Sequence, residues 1–233
     1  MLIGRPHLHY RSVGSTNTEA WRLAEAGAGS GTLVTSDGQT GGRGRQGRAW
    51  SSPAGTLAYS VVLRNPVGVP STLPLQAGVA VCEAVESLGV ERAEVKWPND
   101  VWVEGRKVAG ILVEARPHDG WAVIGIGLNV AVVPGGFPDE VRETATSVGF
   151  GATVPQAIGT LNELLGRRID TPVEETLDEF AARDALKGRQ VSWGEGTGTA
   201  SGIDREGNLL VEGPVGCLSS LNSGEVHLDV SPD

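Results

Sequence analysis

Apolar positions in this chain alternate between two periods, and the switches divide it into elements. Residues 7–13, His-Leu-His-Tyr-Arg-Ser-Val, alternate and predict a strand. After Gly14, the apolar residues Ala20, Trp21, Leu23 and Ala24 fall on a helical stripe that stops at Gly27. Thr16-x-x-Glu19 at its start has the form of a capping box, with Thr16 as the cap. Residues 32–37 predict a second strand, and Leu57, Tyr59, Val61 and Leu63 alternate as a third. Residues 71–89 predict a helix with Leu75, Val79, Cys82, Ala84, Val85 and Leu88 inward. A short strand over 93–97 runs into a Pro98-Asn99-Asp100 turn. Residues 101–104 and 107–115 predict a hairpin over Gly105-Arg106. A further strand, 121–130, follows a turn at 117–120.

Residues 131–154 are loop-like, with one helical turn near 139–144. Two helices follow at 155–168 and 172–186, each with proline near its start. Beyond Gly188 the period changes to short strands at 190–193, 198–204, 208–212 and 225–230, a pattern predicting a small β-barrel. The hairpin links of the main body predict an α+β fold around a mixed, largely antiparallel sheet, not a doubly wound one.

Residues 41–50, Gly-Gly-Arg-Gly-Arg-Gln-Gly-Arg-Ala-Trp, break this pattern. Glycine permits close backbone approach and positive φ. Arginine offers a planar fork of donors suited to phosphate and carboxylate. Together they describe either a mobile surface loop or a clasp that closes over an anion. Gly42, Gly44 and Gly47 spell G-x-G-x-x-G. The dinucleotide fold requires a strand directly before that motif and a helix directly after. Residues 36–40 separate it from the preceding strand, and 49–55 start no helix, so that reading is discarded. No Gly-Lys-Ser/Thr phosphate loop occurs.

Three other anomalies sit in the strands. Lys96 stands between Val95 and Trp97, where a buried strand favours an apolar residue. Gly110 interrupts the strand over 107–115, and Gly125 and Gly127 interrupt the next. Glycine inside a strand marks a bulge or a close approach by another molecule. Two adjacent strands opened in this way would make a floor for a flat apolar group, with Asn129 as a polar group at its end. His7-x-His9 has no third ligand nearby and reads as two histidines on one strand face.

The chain has 233 residues, is 39% hydrophobic and 20% charged, and carries a formal net charge of -9. That acidity disfavours general binding to nucleic acid or anionic membrane, so Arg43, Arg45 and Arg48 stand out locally. Cys82 and Cys217 lie far apart in apolar patterns and read as buried free thiols in a reducing compartment. No window of about 18 apolar residues predicts a membrane span. The N-terminus lacks a signal pattern, which makes the cytoplasm the expected location.

The blocks Ser15-Thr16-Asn17, residues 39–50, Lys96-Trp97-Pro98-Asn99-Asp100, residues 107–114 and residues 125–130 together resemble the bacterial biotin protein ligases, in that family's order and over nearly the whole chain. The resemblance implies a catalytic domain over 1–186 with helices on one side of its sheet. It also implies an SH3-like barrel over 187–233. It implies that biotin and Mg²⁺-ATP form biotinoyl-5′-AMP, and that a lysine of a biotin carboxyl carrier protein then takes the biotinoyl group. By resemblance, Arg43 and Lys96 are the catalytic pair. Ser15, Thr16, Asn17, Gln39, Gly42, Arg43, Lys96, Gly110, Gly125 and Gly127 would bind biotin. Arg43, Arg45, Gln46, Gly47, Arg48, Trp50, Lys107 and Asn129 would hold ATP or the adenylate. No metal ligand is designated. Gln46 stands where the family often has a basic residue.

The family's DNA-binding domain is not expected here, because the chain begins almost at the Ser-Thr-Asn block. No membrane partner is expected, and a homodimer stays open. A loop near 134–138, with Phe137, is expected over the adenine. The nearest rival reading is a lipoate–protein ligase. A single-strand nucleic-acid binder using Trp50 and Trp97 is disfavoured by the net charge, and a non-catalytic adaptor would show no ATP turnover.

Overall fold

The sheet at the centre of the chain is built so that its middle strands are covered on both faces. The computed structural model describes residues 1–66, 71–194, 196–213, 216–222, 224 and 226–228. In chain order its elements are β1 (His7–Tyr10), α1 (Thr16–Glu25), β2 (Leu33–Ser36), β3 (Thr56–Arg64), α2 (Leu73–Ser87), β4 (Glu94–Lys96), β5 (Asp100–Val103), β6 (Arg106–Arg116) and β7 (Trp121–Asn129). Then come α3 (Val154–Asp170), α4 (Val173–Arg183), β8 (Gln190–Trp193), β9 (Gly196–Ile203), β10 (Leu209–Glu212), β11 (Leu218–Leu221) and β12 (His227–Leu228). Seven strands form the main sheet in the order β1-β2-β3-β7-β6-β5-β4. Only β1 and β2 run parallel in it. The mixed, largely antiparallel α+β architecture expected from the hairpin links is therefore present.

Side chains alternate across the pleat, and the two faces are covered differently. Leu57, Tyr59, Val61 and Leu63 of β3 face a core shared with α2, α3 and α4. Val62 joins Val34, Trp121 and Val123 against Ala20 and Ala24 of α1. The expectation of helices on one side thus holds for α2, α3 and α4, and α1 covers the opposite face. The reason is topological: a parallel β1–β2 pair needs a crossover, and α1 supplies it. On that face Trp21 meets Trp121 edge to face at 4.6 Å, and the Arg116 guanidinium lies 5.1 Å from the Trp21 ring.

Helix α2 is almost wholly buried, as its continuous apolar run requires. A Cβ on its Gly78 would stand 3.1 Å from Val95 Cγ1, so glycine lets α2 lie close on β4. Glu83 on α2 accepts from Arg167 and from the buried Arg168 of α3. Arg183 of α4 pairs with Glu86 and Glu179. Helix α3 starts in a capping box made by Thr153 and Gln156.

The C-terminal strands form an antiparallel five-stranded sheet in the order β11-β10-β9-β8-β12. No pairing between β11 and β12 closes it into a barrel among the described residues. Strand β11 was not expected: Leu-Ser-Ser-Leu is too short and too polar to signal one. Of the strand expected over 225–230, residues 225, 229 and 230 lie outside the described residues. Cys82 is buried, and burial pushes its thiol pKa up. Cys217 is exposed, contrary to expectation, because it leads into β11 at the uncovered edge of the small sheet. Among the described residues, no helix is long and apolar enough to cross a membrane.

Candidate active site

Three segments distant in sequence converge on one cavity of about 700 Å³: the turn into α1, the glycine-arginine segment, and the middle of β6 and β7. That volume lies within the rough 300–1,000 Å³ range of small-molecule sites. The sheet supplies its floor. Gly110 and Gly127 are cross-strand partners, and Gly125 pairs with Leu112. A Cβ on Gly127 would overlap the Trp50 indole, and one on Gly110 would stand 3.0 Å from Trp50 Cζ3. A Cβ on Gly125 would overlap the Asn17 amide. The three strand glycines therefore admit Trp50 and Asn17 of this chain, where the sequence suggested a floor open to a flat ligand; the missing Cβ atoms signal the close approach but not which group makes it.

One end of the cavity is polar and tightly networked. Ser15, Thr16 and Asn17 are all buried. Ser15 is the N-cap residue of α1 by position, without a side-chain cap bond. Thr16 does not cap the helix as its spacing from Glu19 suggested. Its N–H donates to Gln39 Oε1 at 2.8 Å, and its hydroxyl reaches the same atom at 3.2 Å. A polar partner brought in by β2 outcompetes the local box. Ser60 Oγ lies 2.8 Å from Thr16 Oγ1 and 2.7 Å from Asn17 Oδ1. The Asn17 amide donates to Glu114 at 2.9 Å.

The glycine-arginine segment folds back on itself over this floor. Arg43 pairs with Ala49 in an antiparallel bridge. Gly44 N–H donates to Arg48 O at 2.7 Å, and Trp50 N–H donates to Gly42 O at 2.9 Å. Gln46 (φ 55°) and Gly47 (φ 76°) make the reversal. The Arg43 guanidinium donates to Glu114 at 2.7 Å, and Arg45 donates to Asn99 at 3.2 Å. The flap is thus fastened at both arginines. The Trp50 indole nitrogen is buried without a hydrogen-bond partner among the described residues.

Two lysines line the same cavity. Lys107 pairs with Asp100 at 2.7 Å and lies 5.5 Å from the Trp50 ring centre. Lys96 lies 5.1 Å from the Trp102 ring centre. With Arg43, Arg45 and Arg48, five cations line the cavity against two carboxylates, Asp100 and Glu140. On a chain of net charge -9 this local excess marks an anion site.

Among the residues expected at the site, Ser15, Thr16, Asn17, Gln39, Arg43, Arg45, Arg48, Trp50, Lys96, Lys107, Gly110, Gly125, Gly127 and Asn129 line the cavity. Gly42 does not; a Cβ there would stand 2.5 Å from Trp50 O and 3.0 Å from the Gln39 amide nitrogen, so its glycine lets the two arms of the flap pair closely beside Gln39. Gln46 and Gly47 line a neighbouring 380 Å³ recess instead. Asn129 lines the cavity, but its amide donates to Thr146 O at 3.0 Å, tying β7 to the loop whose Phe137 and Val141 also line the cavity. Ser60 and Glu114 were missed. The signal for Ser60 was a lone serine inside the apolar run of β3.

The comparisons with known proteins agree along the chain. The model of the biotin/lipoate A/B protein ligase family matches residues 10–130, and that of the biotin protein ligase C terminal domain matches 188–229. The bifunctional ligase/repressor BirA of Bacillus subtilis (strain 168) is 35% identical over 243 residues, covering 95% of this chain and 74% of that protein. The biotin–[acetyl-CoA-carboxylase] ligase of Paracoccus denitrificans is 35% identical over 237 residues, 87% of this chain and 92% of that one. The solved structure of biotin protein ligase from Aquifex aeolicus in complex with biotin and ATP superposes with a TM-score of 0.82 at 30% identity, covering 97% of this chain and 99% of that one. This chain belongs to the biotin protein ligase family.

Proposed function

We propose that the chain activates biotin with ATP to biotinoyl-5′-AMP and passes the biotinoyl group to a lysine of a biotin carboxyl carrier protein. One observation carries this: flap arginines and strand lysines converge on a single cavity with a glycine floor and a polar end. The relatives named above support biotin and ATP as the ligands. The match of 188–229 to the biotin protein ligase C terminal domain favours biotin over lipoate. In this reading residues 1–186 are the catalytic domain and 187–233 the C-terminal one.

Biotin's ureido ring and chain would lie beside the Ser15–Asn17 turn and Gln39, over the side chains of Trp50 and Asn17 that rest on Gly110, Gly125 and Gly127. In the first step its carboxylate oxygen attacks the α-phosphorus of ATP, and the bond to pyrophosphate breaks. Two anions must meet, and Arg43, Lys96 and Lys107 lower that repulsion and stabilise charge on the phosphoryl oxygens. Arg45 and Arg48, which line the same cavity, would hold the departing pyrophosphate. Trp50 would wall the nucleotide, with the loop carrying Phe137 over the adenine. In the second step the acceptor amine attacks the acyl carbonyl, polarised by Lys96 or Lys107, and AMP leaves. The closed flap keeps water from the adenylate.

Magnesium would arrive with the nucleotide. No cluster of three or more His, Cys, Asp or Glu residues suits a metal ion among the described residues. Mg²⁺ on nucleotide phosphates needs only one or two protein carboxylates and keeps its waters, and Asp100 and Glu140 are the cavity's acids. When bound, the ion would supply further charge neutralisation at the phosphates. The cytoplasm suits the exposed free thiol of Cys217, which an oxidising compartment would not keep reduced.

The test is exchange of labelled pyrophosphate into ATP with Mg²⁺ present. Biotin should drive it and lipoate should not. Absence of biotin-driven exchange overturns the proposal, and lipoate-driven exchange replaces it with the rival ligase.

A further inference from the structure

The turn between β4 and β5 carries much of the site. Lys96 lines the cavity, Asn99 accepts from Arg45 at 3.2 Å, and Asp100 pairs with Lys107 at 2.7 Å. Trp97, between them, does not line the cavity. It is 2% exposed, and its indole N–H donates to Gly207 O at 3.0 Å. Gly207 belongs to the turn joining β9 to β10 in the C-terminal sheet.

That turn is built to present its carbonyl. Asp204 Oδ1 accepts from Glu206 N–H at 3.0 Å and Asn208 N–H at 2.8 Å, and Oδ2 accepts from the Asn208 amide at 2.9 Å. Gly207 has φ +82°, and a Cβ there would stand 3.0 Å from Leu75 Cδ1 of α2. Only glycine takes this φ without strain while pressed onto the helix. Ser71 Oγ donates to Glu206 O at 2.7 Å, a second tie across the same seam. The chain leading into the C-terminal sheet also flanks β4: Val95 pairs in parallel with Asp184, and Ala185 N–H donates to Val95 O at 3.0 Å.

We infer that the β9–β10 turn is a positioning element for adenylation, acting through Trp97 to hold the Lys96–Asp100 turn against the flap. The C-terminal sheet is then part of the active-site scaffold, although none of its residues lines the cavity. Trp97 is the positioning residue in the main domain, and Asp204 in the C-terminal one. A buried donor that loses its acceptor must find another, and Trp97 can do so only by moving the turn on which Lys96, Asn99 and Asp100 sit. This rests on the ligase reading above.

The experiment compares Asp204→Ala, Asp204→Asn, Trp97→Phe and the Asp204→Ala/Trp97→Phe double variant in biotin-dependent pyrophosphate exchange, with thermal melting of each. Asp204→Ala should lower kcat about tenfold while KM for biotin stays within about twofold, the loss expected for one misplaced hydrogen bond. Asp204→Asn keeps the Oδ1 acceptor and should recover kcat to within about threefold of wild type. The double variant should fall no more than about twofold below the worse single one, because both changes cut the same link. Wild-type kcat in Asp204→Ala, or losses that multiply in the double variant, would overturn the inference. If Trp97→Phe melts below the assay temperature, the Asp204 pair decides alone. An inactive wild type would instead sink the ligase reading.

Discussion

The Arg43 guanidinium and the Glu114 carboxylate lie 2.7 Å apart, and the same carboxylate oxygen accepts from Asn17. One strand acid thereby fastens the flap to the turn that heads α1. The pair is half-exposed, so its direct worth is modest, up to about 1 kcal/mol. Glu114→Ala should therefore speed the loss of bound biotinoyl-AMP several-fold. Arg43→Ala should speed it more, since it would also remove the proposed contact with the phosphate. Retention of labelled adenylate on the protein measures both, and wild-type retention in Arg43→Ala would contradict the clasp.

Gly127→Ala places a methyl where the Trp50 indole lies. Displacing that ring by about 1 Å should lower kcat/KM for ATP roughly a hundredfold, with the fold intact by circular dichroism. Steady-state kinetics with ATP varied would show it. An unchanged kcat/KM would mean that the indole has no part in the nucleotide site.

How much of this was readable beforehand depended on whether the signal was local. The alternation in β3 and the glycines of β6 and β7 showed directly, because a strand's period and a missing Cβ are properties of neighbouring residues. The close approach at these glycines followed from them, but not that Trp50 and Asn17 make it. Thr16 was misread because its true partner, Gln39, lies 23 residues on, and an i, i+3 spacing cannot reveal that competition. Glu114 looked like a solvent-facing strand acid; only the register of β6, the turn before α1 and the folded flap bring Arg43 and Asn17 to it. The face chosen by α1 follows from the parallel β1–β2 pairing, which no stretch of residues announces. Trp97 looked like a motif residue beside Lys96, and its bond to Gly207 spans 110 positions.

Stability at low pH should depend on Glu83. Burial tends to raise its pKa, but hydrogen bonds and charge from Arg168 and Arg167 outweigh that and hold it below the usual glutamate range. A carboxyl lowered on folding stabilises the native state above its unfolded pKa, and that stability is lost as pH falls through the folded value. Glu83→Gln also leaves the buried Arg168 without its full partner. At pH 7 it should cost about 3 kcal/mol, lowering Tm by roughly 6–12 °C. The difference from wild type should shrink below the carboxylate range. A Tm gap that persists unchanged at acid pH would contradict this.

The two cysteines should react differently. Cys217 is exposed and Cys82 is buried with its thiol pKa raised by desolvation. An aromatic disulfide reagent at pH 8 should titrate one thiol in the native protein and two in denaturant. Two fast thiols in the native state would place Cys82 outside the core.

The most direct test is a crystal structure with a non-hydrolysable biotinoyl-AMP analogue. Residues 41–50 should close over the acyl phosphate, with Arg43 on one side of the phosphoryl group and the Lys96 and Lys107 ammonium groups on the other. A ligand seated elsewhere, or flap arginines turned to open water while the analogue is bound, would contradict it.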